Sequence, residues 1–346
     1  MKHRAVASFS LLLAAIAVVA LATHVAGQAP VAKPAPAAAT KKYVAPRTPD
    51  GQPDLQGYWT NSTYVPLERP DKVTKAYYTE QEFAAQIKDA AARESEQTEP
   101  GTVADVHYDF TQFGLDRSQS AFVKSDLRTS LIVDPANGKM PPLTPEGQKR
   151  NADRAAERRR MGATTDAVQN MPIGTRCLIM AGSGPPMMNA GYNSNYQIVQ
   201  GQGYVMILVE MIHDARVIPL DGKQAALPET MRQWMGDSRG HWDGDTLVIE
   251  TTNINGKNPF RGSSERMKVT ERLWRVDANT LGYRFTIDDP ATWTQPWTAE
   301  APMTKSVGPI FEHACHEGNY GVRNTLAGAR LEEKKAAEAA AKKTSN

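Results

Sequence analysis

The sequence predicts a mainly β protein: an antiparallel meander closing into a barrel or strongly curved sheet, with a smaller mixed α/β part before it. Three observations predict it. From residue 195 onward, extended runs are separated by turns such as Gly201-Gln202-Gly203, Asp243-Gly244 and Asp277-Ala278-Asn279, too short for the crossovers that parallel strands need. In one run Leu281, Tyr283, Phe285 and Ile287 alternate with Gly282, Arg284, Thr286 and Asp288, as in a strand with one buried and one wet face. About eight such strands in succession must hide their edges, and closure into a barrel does so.

Read in order, the chain opens with Lys2, His3 and Arg4 before an apolar run over 5–22, and small residues at Val25 and Gly27 precede Gln28. This is the pattern of a secretory signal peptide over 1–27, so the mature protein is expected to be periplasmic or secreted, with no stable membrane insertion after cleavage. Residues 28–47 are Ala, Pro and Lys with little to bury, and read as a disordered linker. Of 40 basic residues two lie in the signal, which leaves 38 against 38 acidic residues. A formally neutral chain without a reader motif is not expected to bind nucleic acid.

The mixed part spans 48–194. Its turn-rich segment 49–56 leads into Gly57-Tyr58-Trp59 at the head of an extended run. Thr79 with Glu82 signals a capped helix; Leu131-Ile132-Val133 a short strand; Thr144 before Pro145 a second capped helix. The barrel-like region spans 195–325, with strands expected at 196–199, 204–209, 246–252, 267–276, 281–288 and 293–304, and a helix-like run at 228–235. The Ala/Glu/Lys stretch at 326–346 predicts a C-terminal helix and polar tail.

The Gly57-Tyr58-Trp59 opening and the long up-and-down hairpins resemble the lipocalin-like (calycin) β-barrels. Phrases such as Thr48-Pro49-Asp50-Gly51, His213-Asp214-Ala215-Arg216, Asp237-Ser238-Arg239-Gly240 and Cys315-His316-Glu317-Gly318-Asn319-Tyr320 are similar to those of a group of uncharacterised exported bacterial proteins. That resemblance runs along most of the mature chain and implies export without implying an activity.

Several residues could carry chemistry. His213 follows an apolar run, and histidine side chains titrate near neutral pH, which suits a general acid or base; Glu210, Asp214 and Arg216 fall on the opposite strand face, where a carboxylate and the guanidinium read as a structural ion pair rather than a substrate clamp. Glu271 shares a strand face with Met267, Val269 and Leu273, so it is either networked or functional unless a bulge shifts the face. His316 and Glu317 are further proton-transfer candidates, and the His313–Glu317 cluster fits no standard zinc spacing. Gly236-Asp237-Ser238-Arg239-Gly240 spells a nucleophile-elbow motif but lacks strand-turn-helix context. Cys177 and Cys315, the only cysteines, permit one disulfide. No phosphate loop, dinucleotide fingerprint or haem motif calls for a cofactor.

The strand-rich half also concentrates aromatic residues, of which Tyr283, Phe285, Trp293 and Trp297 share faces that would line a pocket. The leading expectation is therefore a binding or carrier protein for a hydrophobic or aromatic small molecule. Two alternatives are a cofactor-independent isomerase, lyase or hydrolase using a His/carboxylate pair in the same cavity, and a structural envelope protein. Carrier and enzyme differ in whether a histidine and a carboxylate meet within hydrogen-bond reach inside the barrel.

Overall fold

In a computed structural model, the structure describes residues 43–94, 127–180, 182–189, 193–222 and 226–344. The expected signal peptide and residues 28–42 of the linker lie outside the described residues. Residues Tyr43–Asn346 form one compact unit.

The strands are β1 (Gly57–Thr60), β2 (Ile132–Asp134), β3 (Asn195–Gly201), β4 (Tyr204–Val209), β5 (Ala215–Pro219), β6 (Asp237–Asp243), β7 (Thr246–Thr252), β8 (Lys268–Arg275), β9 (Thr280–Asp288), β10 (Trp297–Glu300) and β11 (Met303–Lys305). They form one antiparallel sheet in the order β5-β4-β3-β1-β11-β9-β8-β7-β6, with β10 beside β9 and β2 beside β10. The segment expected as one run over 293–304 is thus two strands: β10 pairs with one half of β9 and β11 with the other. β1 and β2, from the mixed part of the chain, complete the same sheet.

Nine antiparallel positions along this path leave its first and last strands running the same way. The closing contact is accordingly parallel: Leu220, just beyond β5, bridges Gly240 of β6, and the Asp221 N–H donates to the Gly240 carbonyl at 3.0 Å. The sheet is a nearly closed barrel whose seam is this one short contact. Gly240 permits it, because a Cβ there would lie 2.7 Å from Leu220 Cδ2 and 3.0 Å from Ile218 Cγ2.

The β3–β4, β6–β7 and β8–β9 hairpins turn at one end of the barrel. The N-terminal segment covers that end: Arg47 pairs with Asp245 at 2.6 Å, Leu55 and Trp59 are fully buried, and the Arg275 guanidinium stacks 4.9 Å from the Trp59 ring centroid. Helices α1 (Glu80–Glu94), α2 (Pro145–Met161) and α3 (Tyr320–Thr344) lie outside the sheet. α1 carries the expected reciprocal cap between Thr79 and Glu82, and Thr144 caps α2 by accepting from the Gly147 N–H at 3.0 Å.

The helix-like run at 228–235 does not form a helix. Instead the buried Asn253 amide donates to the carbonyls of Leu227, Pro228 and Met231, at 3.3, 2.8 and 3.1 Å, and holds the chain in turns. A tertiary donor has taken the carbonyls that a helix would have used itself. No described helix is long and apolar enough to cross a membrane.

Candidate functional site in the loop end of the barrel

On β8 the inward positions are Val269, Glu271 and Leu273, and on β9 Leu281, Tyr283, Phe285 and Ile287. Their register is continuous, Glu271 opposite both Ile249 and Phe285, so the suspected bulge is not there. Glu271 is therefore a carboxylate in the middle of an apolar face and 0% exposed. Trp274, one residue past Leu273, points to the outer face, where its ring leaves no room for a side chain at Gly282.

The partner of Glu271 comes from the far side of the seam. Arg216 Nη1 donates to Glu271 Oε2 at 2.6 Å and Nη2 to Oε1 at 3.0 Å, and the Tyr283 hydroxyl donates to Oε1 at 2.8 Å. Burial pulls the Arg216 guanidinium down, but the charge and hydrogen bonds of Glu271 outweigh it and hold it above its ordinary value. Burial, and then the neighbouring Glu271 charge, push the Tyr283 phenol well up. Arg216 pairs with neither Glu210 nor Asp214: a 3-10 turn over Met211–His213, with Ile212 and His213 at positive φ, breaks the strand alternation between Glu210 and Arg216, and Glu271 takes both guanidinium nitrogens that face it. Glu210 on that turn accepts from Asn195 at 2.6 Å.

Above this network the chain segment 182–189 fills the mouth. Met187 is 0% exposed. Its N–H donates to the Tyr283 hydroxyl at 2.8 Å, and its carbonyl accepts from Asn61 Nδ2 at 3.2 Å. Tyr196, whose phenol burial pushes up, donates to the Gly182 carbonyl at 2.8 Å. The plug is anchored outside the barrel: Cys177 is bonded to Cys315 with Cα atoms 5.8 Å apart, and Asn319 donates to the Thr175 carbonyl at 2.8 Å.

Four rings expected to line a pocket form one chain of contacts beside the network. Tyr283 and Phe285 lie 5.8 Å apart between centroids, Phe285 and Trp297 5.9 Å edge-on, and Trp293 and Trp297 5.7 Å edge-on. Phe260, from the β7–β8 connection, stacks on Trp297 at 6.2 Å. Tyr283, Phe285, Trp293 and Trp297 are buried, whereas Phe260 is half-buried and reaches the surface.

The remaining candidates sit elsewhere. His213 is exposed and its Nδ1 lies 3.0 Å from the His313 carbonyl, while His316 and Glu317 are exposed beside the disulfide. None of them reaches Glu271 through a hydrogen bond among the described residues. Ser238 lies within β6, 2.8 Å from the Thr251 hydroxyl, and stands on no elbow. Among the described residues no three His, Cys, Asp or Glu side chains are grouped to hold a metal ion. Sequence reasoning did not single out Asn61, Met187, Tyr196 or Phe260 for the site. Tyr196 alone carried a usable signal, since it alternates with Ile198 on β3; the others lie on loops without periodicity.

These features define the class: a nearly closed antiparallel barrel compatible with a calycin-like fold, with a buried Arg-Glu-Tyr network under a loop plug and an aromatic array beside it. No protein-family model matches the chain, and no curated protein or solved structure is significantly similar to it.

Proposed function

We propose that the protein is an exported binding or carrier protein for a small aromatic molecule, working in the periplasm or outside the cell like the exported bacterial group its sequence resembles. The observation that carries this reading is the aromatic array. Four rings run in contact from the interior Tyr283 through Phe285 and Trp297 to the half-buried Phe260, with Trp293 edge-on to Trp297, so a continuous apolar, aromatic patch reaches from the barrel interior to the surface at the loop end.

The polar network favours a carrier over an enzyme. Glu271 receives three donated hydrogen bonds from Arg216 and Tyr283, an arrangement that satisfies the carboxylate and fixes the core rather than freeing a base. His213 and His316, the histidines expected to work with it, are exposed outside the network. The experiment is native mass spectrometry of the protein recovered from an exporting host. A co-purifying aromatic molecule, with a chain mass corresponding to a start at Gln28, is the expected result; an apo species that fails to shift with any aromatic compound offered would overturn the reading.

A further inference from the structure

Trp297 is fully buried, yet its indole Nε1–H meets no acceptor among the described residues. A buried donor left unpaired forfeits its hydration without recompense, on the order of 1–3 kcal/mol, and such groups in folded proteins call for a specific explanation. Its setting is specific. Trp297 is opposite Ile287 on the inward face of β10, with Phe260 stacked on it and Phe285 and Trp293 edge-on. Three aromatic rings thus pack on the indole that carries this donor.

The neighbouring polar groups are otherwise engaged. Across the β9–β10 ladder Thr286 and Thr298 bond each other on the outer face at 2.9 Å. At the β9–β10 turn Asp289 accepts from the Ser264 N–H at 2.6 Å and from its hydroxyl at 2.7 Å, and the Thr292 hydroxyl donates to it at 2.5 Å. Asp289 is thereby taken up by its own turn rather than turned toward the indole.

We infer that Trp297 is the specificity-determining residue of the aromatic site, and that its indole N–H selects planar aromatic ligands bearing an exposed hydrogen-bond acceptor such as an aryl ketone. This rests on the binding function proposed above. A site built around one buried donor rejects an isosteric ligand lacking the acceptor, because the donor then stays unpaired.

The test compares acetophenone with ethylbenzene, nearly the same shape with and without the carbonyl. Calorimetric titration of the full mature protein should give acetophenone an advantage of about tenfold, the usual discrimination of one buried hydrogen bond. Trp297→Phe should bring the two affinities together mainly by weakening acetophenone. Because Trp297→Phe also alters packing, the wild-type indole resonance gives a second readout that needs no variant. In a ¹⁵N-tryptophan sample, acetophenone should move the Trp297 Nε1–H signal downfield and ethylbenzene should not. Equal affinities with an unmoved indole proton would overturn the inference and leave the binding function standing. If neither compound nor any larger aryl ketone and alkyl-arene pair binds, the binding function fails and the inference with it.

Discussion

Arg216 and Glu271 clasp each other across the barrel interior through two hydrogen bonds of 2.6 and 3.0 Å, and so tie the first strand of the sheet path to the third from its other end. Among the described residues the seam between those ends is one parallel bridge at Leu220 and Gly240. The ion pair therefore does from inside the barrel what a full ladder of backbone bonds would do at the seam.

Breaking that clasp on one side leaves a charge buried without its counterpart. Glu271→Leu and Arg216→Met should each lower stability by roughly 3–5 kcal/mol, whereas the double replacement Arg216→Met with Glu271→Leu should cost much less than the two single changes added together. Urea unfolding of the four proteins measures this. Strict additivity would mean that the two groups are held independently.

The seam itself depends on the absence of a side chain at Gly240. Gly240→Ala must push Leu220 and Ile218 apart and should cost roughly 1–3 kcal/mol. Gly201→Ala, where an added Cβ meets nothing within 4 Å, should stay within about 0.5 kcal/mol. Thermal unfolding of both variants makes the comparison, and similar losses would show that the close approach is unimportant.

Much of this fold is legible in the sequence. The turns at 201–203, 243–244 and 277–279 are where hairpins form, and the alternation 281, 283, 285, 287 is the inward face of β9. Glu271 stands out as the polar residue on an apolar face. Its partner does not, because Arg216 is 55 residues away and its strand parity is reset by the positive-φ turn at Ile212 and His213. The plug is still less legible: Met187 sits in a segment without periodicity, and its burial follows from backbone bonds to Tyr283 and Asn61 that no local pattern announces.

Tyr196 and Tyr283 make stability pH-dependent on the alkaline side. Both phenols are pushed up by burial, so the folded state keeps its protons while the unfolded chain loses them from about pH 10 upward. A raised folded value means stabilisation that is intact below about pH 10 and lost as pH climbs beyond it. Urea midpoints between pH 8 and 11 should fall above 10, with the two phenols silent in the ultraviolet until the chain unfolds. Free titration of every tyrosine in the folded protein would contradict their burial.

The disulfide between Cys177 and Cys315, 138 residues apart, anchors the plug. Reduction or the paired Cys177→Ser and Cys315→Ser change should cost about 4–5 kcal/mol by chain entropy. It should also speed exchange of the Met187 amide, whose acceptor is the Tyr283 hydroxyl, more than that of the β7–β8 ladder. Hydrogen-exchange mass spectrometry reads both; uniform acceleration across the sheet would mean that the bond supports the barrel at large.

In the function proposed above, the aromatic array at the loop end binds an aromatic small molecule. ¹⁹F NMR of the protein carrying 5-fluorotryptophan tests it most directly, because the chain has 6 tryptophans and each can be assigned by substitution. Titration with aromatic compounds should move the Trp293 and Trp297 resonances together and saturably, and leave Trp274 on the outer face unchanged. Resonances that stay fixed across the whole series, or a shift at Trp274 alone, would contradict a binding site in the array.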